Sequence, residues 1–385
     1  MYSLLFMKIT PFCPFFKYFF FFIMMMSEEL LKIFCSNRNI KCSTLKSYRS
    51  AIAKYEFFHD MAMGSLMDEA IVEEDEGISL KSRKIKSRLL DFRSFLLDSG
   101  LAISTVRTYF SRIKTFYRHF EIELPYLNDI RRDGEYLSSY DDLPTKSDIR
   151  KACDISSLDF IAVILFISSS GCAKAETLSL TVGDFIKATE DYHDGGSIDD
   201  VLECLENRKD VVPTFYLKRI KTNKFYHTFC SPEASHHIVK YLMSKDNLSL
   251  DDKVFDFTDA SLIYNFKKVN DSLDMGFVGK YRFFRAHSLR KYHASNIGLS
   301  KDHIDELQGR AKTKVHEAYI KTNPKKLKEI YMGAMHNVMV FDEWIEEHKD
   351  KHNFKNDDSS VVIENQVINI IINFTLDGME YKVEK

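Results

Sequence analysis

The sequence contains no Cys-x-x-Cys pair; its seven cysteines, at positions 13, 35, 42, 153, 172, 204 and 230, are odd in number and scattered. That pattern excludes the common zinc spacings and a disulfide framework, and it suits a reducing cytoplasm. Thirteen histidines do not restore a metal reading, because the adjacent pair His236 and His237 diverges on a helix, so no metal or other cofactor is expected. A membrane span is missing as well. The apolar run from Tyr18 to Met26 falls short of the roughly 20 residues that cross a bilayer, and Lys17 and two prolines interrupt anything longer. No small-x-small cleavage site follows the run, which argues against a secretory signal. Residues 1–26 are therefore expected to be an apolar leader read from a mis-assigned start, the natural chain beginning at Met26. Net positive charge is absent too: the formal balance is -2, which taken alone argues against a nucleic-acid partner.

The distribution of charge says otherwise. From Ser79 to Arg118 there are ten Lys/Arg against two acids, and from Tyr281 to Tyr331 twelve against five, while every charge from Asp68 to Glu76 is acidic. Two basic blocks on an otherwise acidic chain are what a two-part grip on a polyanion requires. At 385 residues, 45% hydrophobic and 29% charged, the chain has room for two ordinary domains with cores and is not a disordered segment.

Periodicity over 27–125 is helical. Ser43 or Thr44 can cap a helix through Tyr48, Ile52 and Tyr55. A second is expected from Ser79, with Ile85, Leu89, Phe92 and Leu96 on one face and Gly100 as its stop. A third starts at Ser104 or Thr105 and carries the stripe Val106, Phe110, Ile113, Tyr117 and Phe120. Arg107, Arg112, Lys114 and Arg118 lie largely off that stripe; with Lys84, Lys86, Arg88 and Arg93 they are the candidate phosphate contacts, which would hold register without reading sequence. Residues 121–145, with Pro125, Asp133-Gly134 and Pro144, form a linker, and Thr145 is an N-cap for the next domain, 126–350. Within it, Leu158–Ile167 is a buried helix, 189–210 is an insertion without clear pattern, and Thr214–Cys230 is a hairpin turning near Asn223. Pro232–Lys245 and Asp259–Leu273 are scaffold helices, Asn323-Pro324 opens another in which Tyr331 is core, and the tail, 351–385, favours a strand or two.

The chemistry gathers between Phe284 and Tyr331. His287 and Arg290 stand three apart and can face one target from one helical turn, Gly309-Arg310 follows, and Tyr319 lies nine residues beyond Arg310. An imidazole and planar guanidinium forks suit a phosphodiester, which a phenol could attack. This ordered set resembles the second signature of the tyrosine recombinases, the phage-integrase family, and particularly integrases of archaea and their viruses. Ser168–Phe185 resembles the family's first signature, with Gly171 and Glu176 in place, but Ala173 stands where the first catalytic arginine belongs. The nearest cation, Lys174, could serve only if the turn shifts by one residue, and it lacks the bidentate fork. Glu176 is read as support for the site rather than as a base.

The resemblance implies a mainly α fold with a small β component: an N-terminal helical core-binding domain that grips DNA, and a mixed α+β catalytic domain that completes a clamp. It implies Tyr319 as nucleophile, Arg290, Arg310 and, with the turn shifted by one residue, Lys174 around the phosphate, His287 assisting proton transfer, and a hairpin lysine as acid. For that lysine Lys221 is the choice, with Lys218 and Lys224 next. The activity implied is site-specific cutting and rejoining of double-stranded DNA through a 3'-phosphotyrosine, integrating or excising a mobile element without ATP or metal. Its partners would be DNA and a homo-tetramer on two sites in a cytoplasmic, nucleoid-associated setting, with no membrane or small-molecule substrate. The rival readings are a degenerate recombinase that binds without cleaving and a helical DNA-binding regulator.

Overall fold

A computed structural model describes residues 28–130, 139–310, 323–349, 372–376 and 379–383. The chain divides into two compact units between Tyr136 and Leu137.

The first unit is helical: α1 over 28–38, α2 at Cys42–His59, α3 at Met63–Asp75, α4 at Lys84–Asp98 and α5 at Ile103–His119. Each buries the stripe its spacing dictates. On α4 these residues are Ile85, Leu89, Phe92 and Leu96, and on α5 they are Val106, Phe110, Ile113, Phe116 and Tyr117. Phe34, Tyr55, Phe92 and Phe116 meet them in an aromatic core. The starts differ from expectation. Helix α4 begins at Lys84 rather than Ser79, because the buried Glu73 carboxylate accepts from Lys84 N at 2.8 Å and caps it from another helix. Helix α5 begins at Ile103, and α2 at Cys42, neither with a side-chain cap.

The second unit is built around α7, Leu158–Ser170, which is buried on nearly every side. A helix apolar all round must be enclosed by others. Helix α11, Pro232–Met243, and α13, Ala286–Asn296, pack against it. Before it stands α6, Lys146–Asp154, whose Thr145 and Asp148 form the expected cap. After it come α8, Lys174–Ser179, and α9, Val182–Ala188. The stretch 189–210 is not patternless: it holds α10, Ile198–Glu206, which buries Val201, Leu202 and Leu205. Strands β1, Phe215–Arg219, and β2, Lys224–Thr228, form an antiparallel hairpin with Phe215 opposite Thr228 and Arg219 opposite Lys224. Next are α12, Asp259–Ser272, the two-residue strands β3, Phe277–Val278, and β4, Tyr281–Arg282, and α14, Lys301–Leu307. Helix α15, Pro324–Ala334, is capped by Asn323, and Tyr331 is core, its hydroxyl donating to Ser169 O at 3.0 Å. Helix α16 spans Asp342–Lys349, and the tail contains an antiparallel pair, β5 at Ile372–Leu376 and β6 at Met379–Val383. The molecule is thus mainly α with a small β component, as expected. No helix of the described residues is long and apolar enough to cross a membrane.

Candidate active site

Arg290 is the centre of the site. It lies on the inward face of α13 and is buried; one guanidinium nitrogen donates to Gly171 O and another to Gln308 O at 2.9 Å. The turn that receives it closes α7. Ser169 and Ser170 hydroxyls donate back to Leu165 O and Phe166 O at 2.7 and 2.6 Å, and Gly171 then takes a left-handed φ of 65°. A Cβ on Gly171 would stand 2.6 Å from Gln308 Nε2 and from His293 Nδ1, so only glycine permits this approach.

Gln308, fully buried, links the parts. Arg310 Nε donates to it at 3.0 Å, which fixes that atom as the amide oxygen and turns Nε2 toward Arg290 O at 3.2 Å and His293 Nδ1 at 2.9 Å. His293 Nδ1 therefore accepts, and burial, followed by the Arg290 and Arg310 charges, pushes this imidazole down to about 3. Arg290 itself is pushed down to about 10, first by burial and then by the Arg219 charge. Desolvation followed by four cations, Arg285, Lys291, Arg290 and Arg310, holds His287 below its ordinary value. Positive charge thus accumulates around one spot. That is an arrangement which costs stability in isolation and suits an anion.

The hairpin reaches the same turn from another side. Glu176 of α8, only 2% exposed, accepts from Arg219 Nη1 at 2.6 Å and from Ile220 N at 2.9 Å. Lys221 follows at the exposed tip, where Asn223 adopts a φ of 58°. Lys218 lies on the opposite face of β1, over Phe225 at 5.6 Å. Lys174, first residue of α8, sits 2.5 Å from Asp259 Oδ1, and Ala173 is the extended residue before it. The structure therefore brings Arg290, Arg310, His287 and the hairpin base together, and engages Lys174 with α12. Tyr319 lies outside the described residues.

Two participants escaped the sequence reading. Gln308 carried no signal beyond its place before Gly309-Arg310. Arg219 did carry one: along Phe215-Tyr216-Leu217-Lys218-Arg219, alternation puts Arg219 on the face of the buried Phe215 and Leu217.

In the first unit, Arg107, Arg112 and Lys114 line a cavity of ≈ 560 Å³ together with Ser104, Thr108 and Ser111. Lys114 and Arg118 continue along a neighbouring cleft. Arg112 stacks over Tyr48 at 4.5 Å, and Arg93 Nη1 donates to Asn128 O at 3.3 Å. Lys84 and Arg88 share the Glu69 carboxylate, at 3.1 Å from Lys84 Nζ and 3.0 Å from Arg88 Nη2; Lys86 is half-buried beside them in sequence. No group of three or more metal-ligating side chains is present among the described residues.

No family model and no curated protein matches the chain. It is similar to solved recombinases and integrases. With the crystal structure of XerA recombinase it shares 12% identity over 80% of this chain and 97% of that one, at a TM-score of 0.33. With XerH site-specific recombinase bound to difH substrate it shares 16% identity, over 79% of this chain and 81% of that one, at a TM-score of 0.45. With a lambda integrase(75-356) dimer bound to a COC' core site the values are 14%, 76%, 93% and 0.46. Likeness at this level assigns no activity, and the chemistry rests on the side chains.

Proposed function

We propose that the chain is a site-specific DNA recombinase that cuts and rejoins double-stranded DNA through a 3'-phosphotyrosine. The observation that carries this reading is Arg290, buried with its guanidinium held by Gly171 O and Gln308 O, with Arg310 tied to the same glutamine. A phosphodiester gains charge on its equatorial oxygens in the transition state, and preorganised cations stabilise that gain. The Tyr319 oxygen would attack phosphorus and the bond to the 5'-oxygen would break. Lys221 would give that oxygen its proton while His287 assists removal of the phenol proton. The bond energy stays in the phosphotyrosine, so the 5'-hydroxyl of a partner strand can reverse the attack. Two sites and two exchanges call for a tetramer, and the natural substrate would be the ends of a mobile element of the archaeal-virus kind, in the cytoplasm at the nucleoid.

The test uses a pool of nicked duplexes with randomised arms, in which cleavage beside the nick releases the short strand and traps the protein. The parent chain should form detergent-resistant adducts, and Tyr319→Phe should bind the same duplexes and trap none. Adducts that persist in Tyr319→Phe and vanish in Tyr331→Phe would overturn the nucleophile assignment. A second reading, binding without cleavage, draws on Ala173 and on the Lys174 contact with Asp259. It predicts bound duplex and no adduct from the parent.

A further inference from the structure

We propose that Arg219 of the hairpin, together with Arg290, forms a two-guanidinium cradle for a tetrahedral oxyanion, filling the role that Ala173 leaves without a cation. Under the recombinase reading, on which this rests, the oxyanion is the scissile phosphate.

Residues 171–176 receive both guanidiniums: Gly171 O accepts from Arg290 Nη1, and Glu176 Oε2 accepts from Arg219 Nη1 at 2.6 Å. Glu176 also accepts from Ile220 N at 2.9 Å, so the carboxylate fixes the end of β1 and aims the arginine that ends it. Arg219 keeps 14% of its side chain exposed, enough for contact with a ligand and too little for a freely solvated surface group. Lys174 has a different engagement, with Asp259 at 2.5 Å.

Charge completes the case. Arg219 is the leading charged group that depresses the Arg290 value, so the two cations are within each other's field, and Glu176 is the carboxylate the structure pairs with Arg219. Arg219 has one carboxylate partner and Arg290 has two backbone carbonyls, so the two partly buried guanidiniums repel across the remaining gap, and an anion with several acceptors removes that repulsion. The fork of Arg219 can meet two oxygens at once, which an ammonium on Lys174 cannot.

The experiment is calorimetric titration of the full chain with sodium tungstate, a tetrahedral oxyanion, on the parent and four variants. Arg219→Gln should weaken tungstate binding by about tenfold or more, the worth of one charge-assisted hydrogen bond. Arg219→Lys should fall between that variant and the parent, and Lys174→Gln should bind as the parent does. Because Arg219→Gln leaves the buried Glu176 without its cationic partner, the pair is also removed together as Arg219→Gln/Glu176→Gln, with thermal melting as the check of folding. A merely structural pair predicts that this double variant binds tungstate normally; the cradle predicts the same loss as in Arg219→Gln. Tungstate bound equally by parent and double variant, bound by none of the proteins, or lost in Lys174→Gln overturns the proposal. Failure of the recombinase reading has a different signature: a parent that binds tungstate and loses it with Arg219, yet never traps DNA.

Discussion

At the scale of single residues, the site is held by close approaches that tolerate little. Gly309 has a left-handed φ of 57°, and a Cβ there would lie 2.6 Å from the Tyr226 ring, itself buried. Gly309→Ala should therefore destabilise the second unit by about 2–4 kcal/mol, a left-handed Cβ and overpacking acting together. Denaturant unfolding of parent and variant measures this; an unchanged midpoint would show that Tyr226 and the turn yield. His287 makes a separate prediction. Its imidazole is held below the ordinary histidine value by desolvation and by neighbouring cations, so it stays neutral as pH falls through 6.5 and protonates only further down. If the neutral ring assists removal of the phenol proton, the trapping rate should persist through that range and drop at lower pH. His287→Gln should be slower throughout and lack that acid limb. A parent rate that halves at 6.5 would mean that another group titrates.

At the scale of elements, what was legible depended on whether an element's pattern is local. The helices α4 and α5 and the hairpin declared themselves because their buried residues repeat at 3.6 or at 2. The α10 helix was missed although Ser197 and Asp200 form a capping box with Ser197 Oγ and Asp200 N 3.2 Å apart; Ser-x-x-Asp ahead of Val201, Leu202 and Leu205 was the available signal. The start of α4 could not be read locally, since its cap, Glu73, comes from another helix. For the same reason the sequence pointed to Arg290 but not to its carbonyl partners 119 and 18 residues away. A further long-range tie gives a prediction. Glu233 at the start of α11 is buried, accepts from Val340 N at 2.9 Å and Phe341 N at 3.1 Å, and so pins the segment between α15 and α16. Burial pushes its carboxyl up to about 7 from 4.5. The folded state thus holds this proton more tightly than the unfolded chain, and stability from this group is lost as pH rises from 4.5 through 7. Thermal melts of Glu233→Gln should show a flatter pH profile than the parent across that window. Parallel profiles would mean that the carboxyl titrates as an ordinary one.

At the scale of the whole molecule, a net charge of -2 conceals a division of labour among the basic residues of the first unit. Arg88 keeps 21% of its side chain exposed and is shared with Glu69, which belongs to α3, so its charge joins two helices. Lys114 keeps 15% of its side chain exposed and is 3.8 Å from Asp129, but that aspartate is 89% exposed, and a long pair with one partner in solvent yields to a phosphate. Arg107 and Lys114 line one cavity, and Arg118 follows Lys114 into the next cleft. If this face grips duplex DNA through phosphates, each contact releases a counterion, and the slope of log affinity against log salt changes by about 0.9 per contact. Arg107→Gln/Lys114→Gln should therefore lower the magnitude of the slope by about two and weaken binding on every duplex alike. Arg88→Gln should do the reverse, leaving the slope nearly unchanged while lowering the melting temperature, because it strips Glu69 of its closest partner. Binding isotherms between low and moderate salt, with melts on the same proteins, separate the two. An affinity independent of salt would remove the phosphate grip altogether, and an equal loss of slope in both variants would place the α3–α4 pair on the DNA face rather than inside the fold.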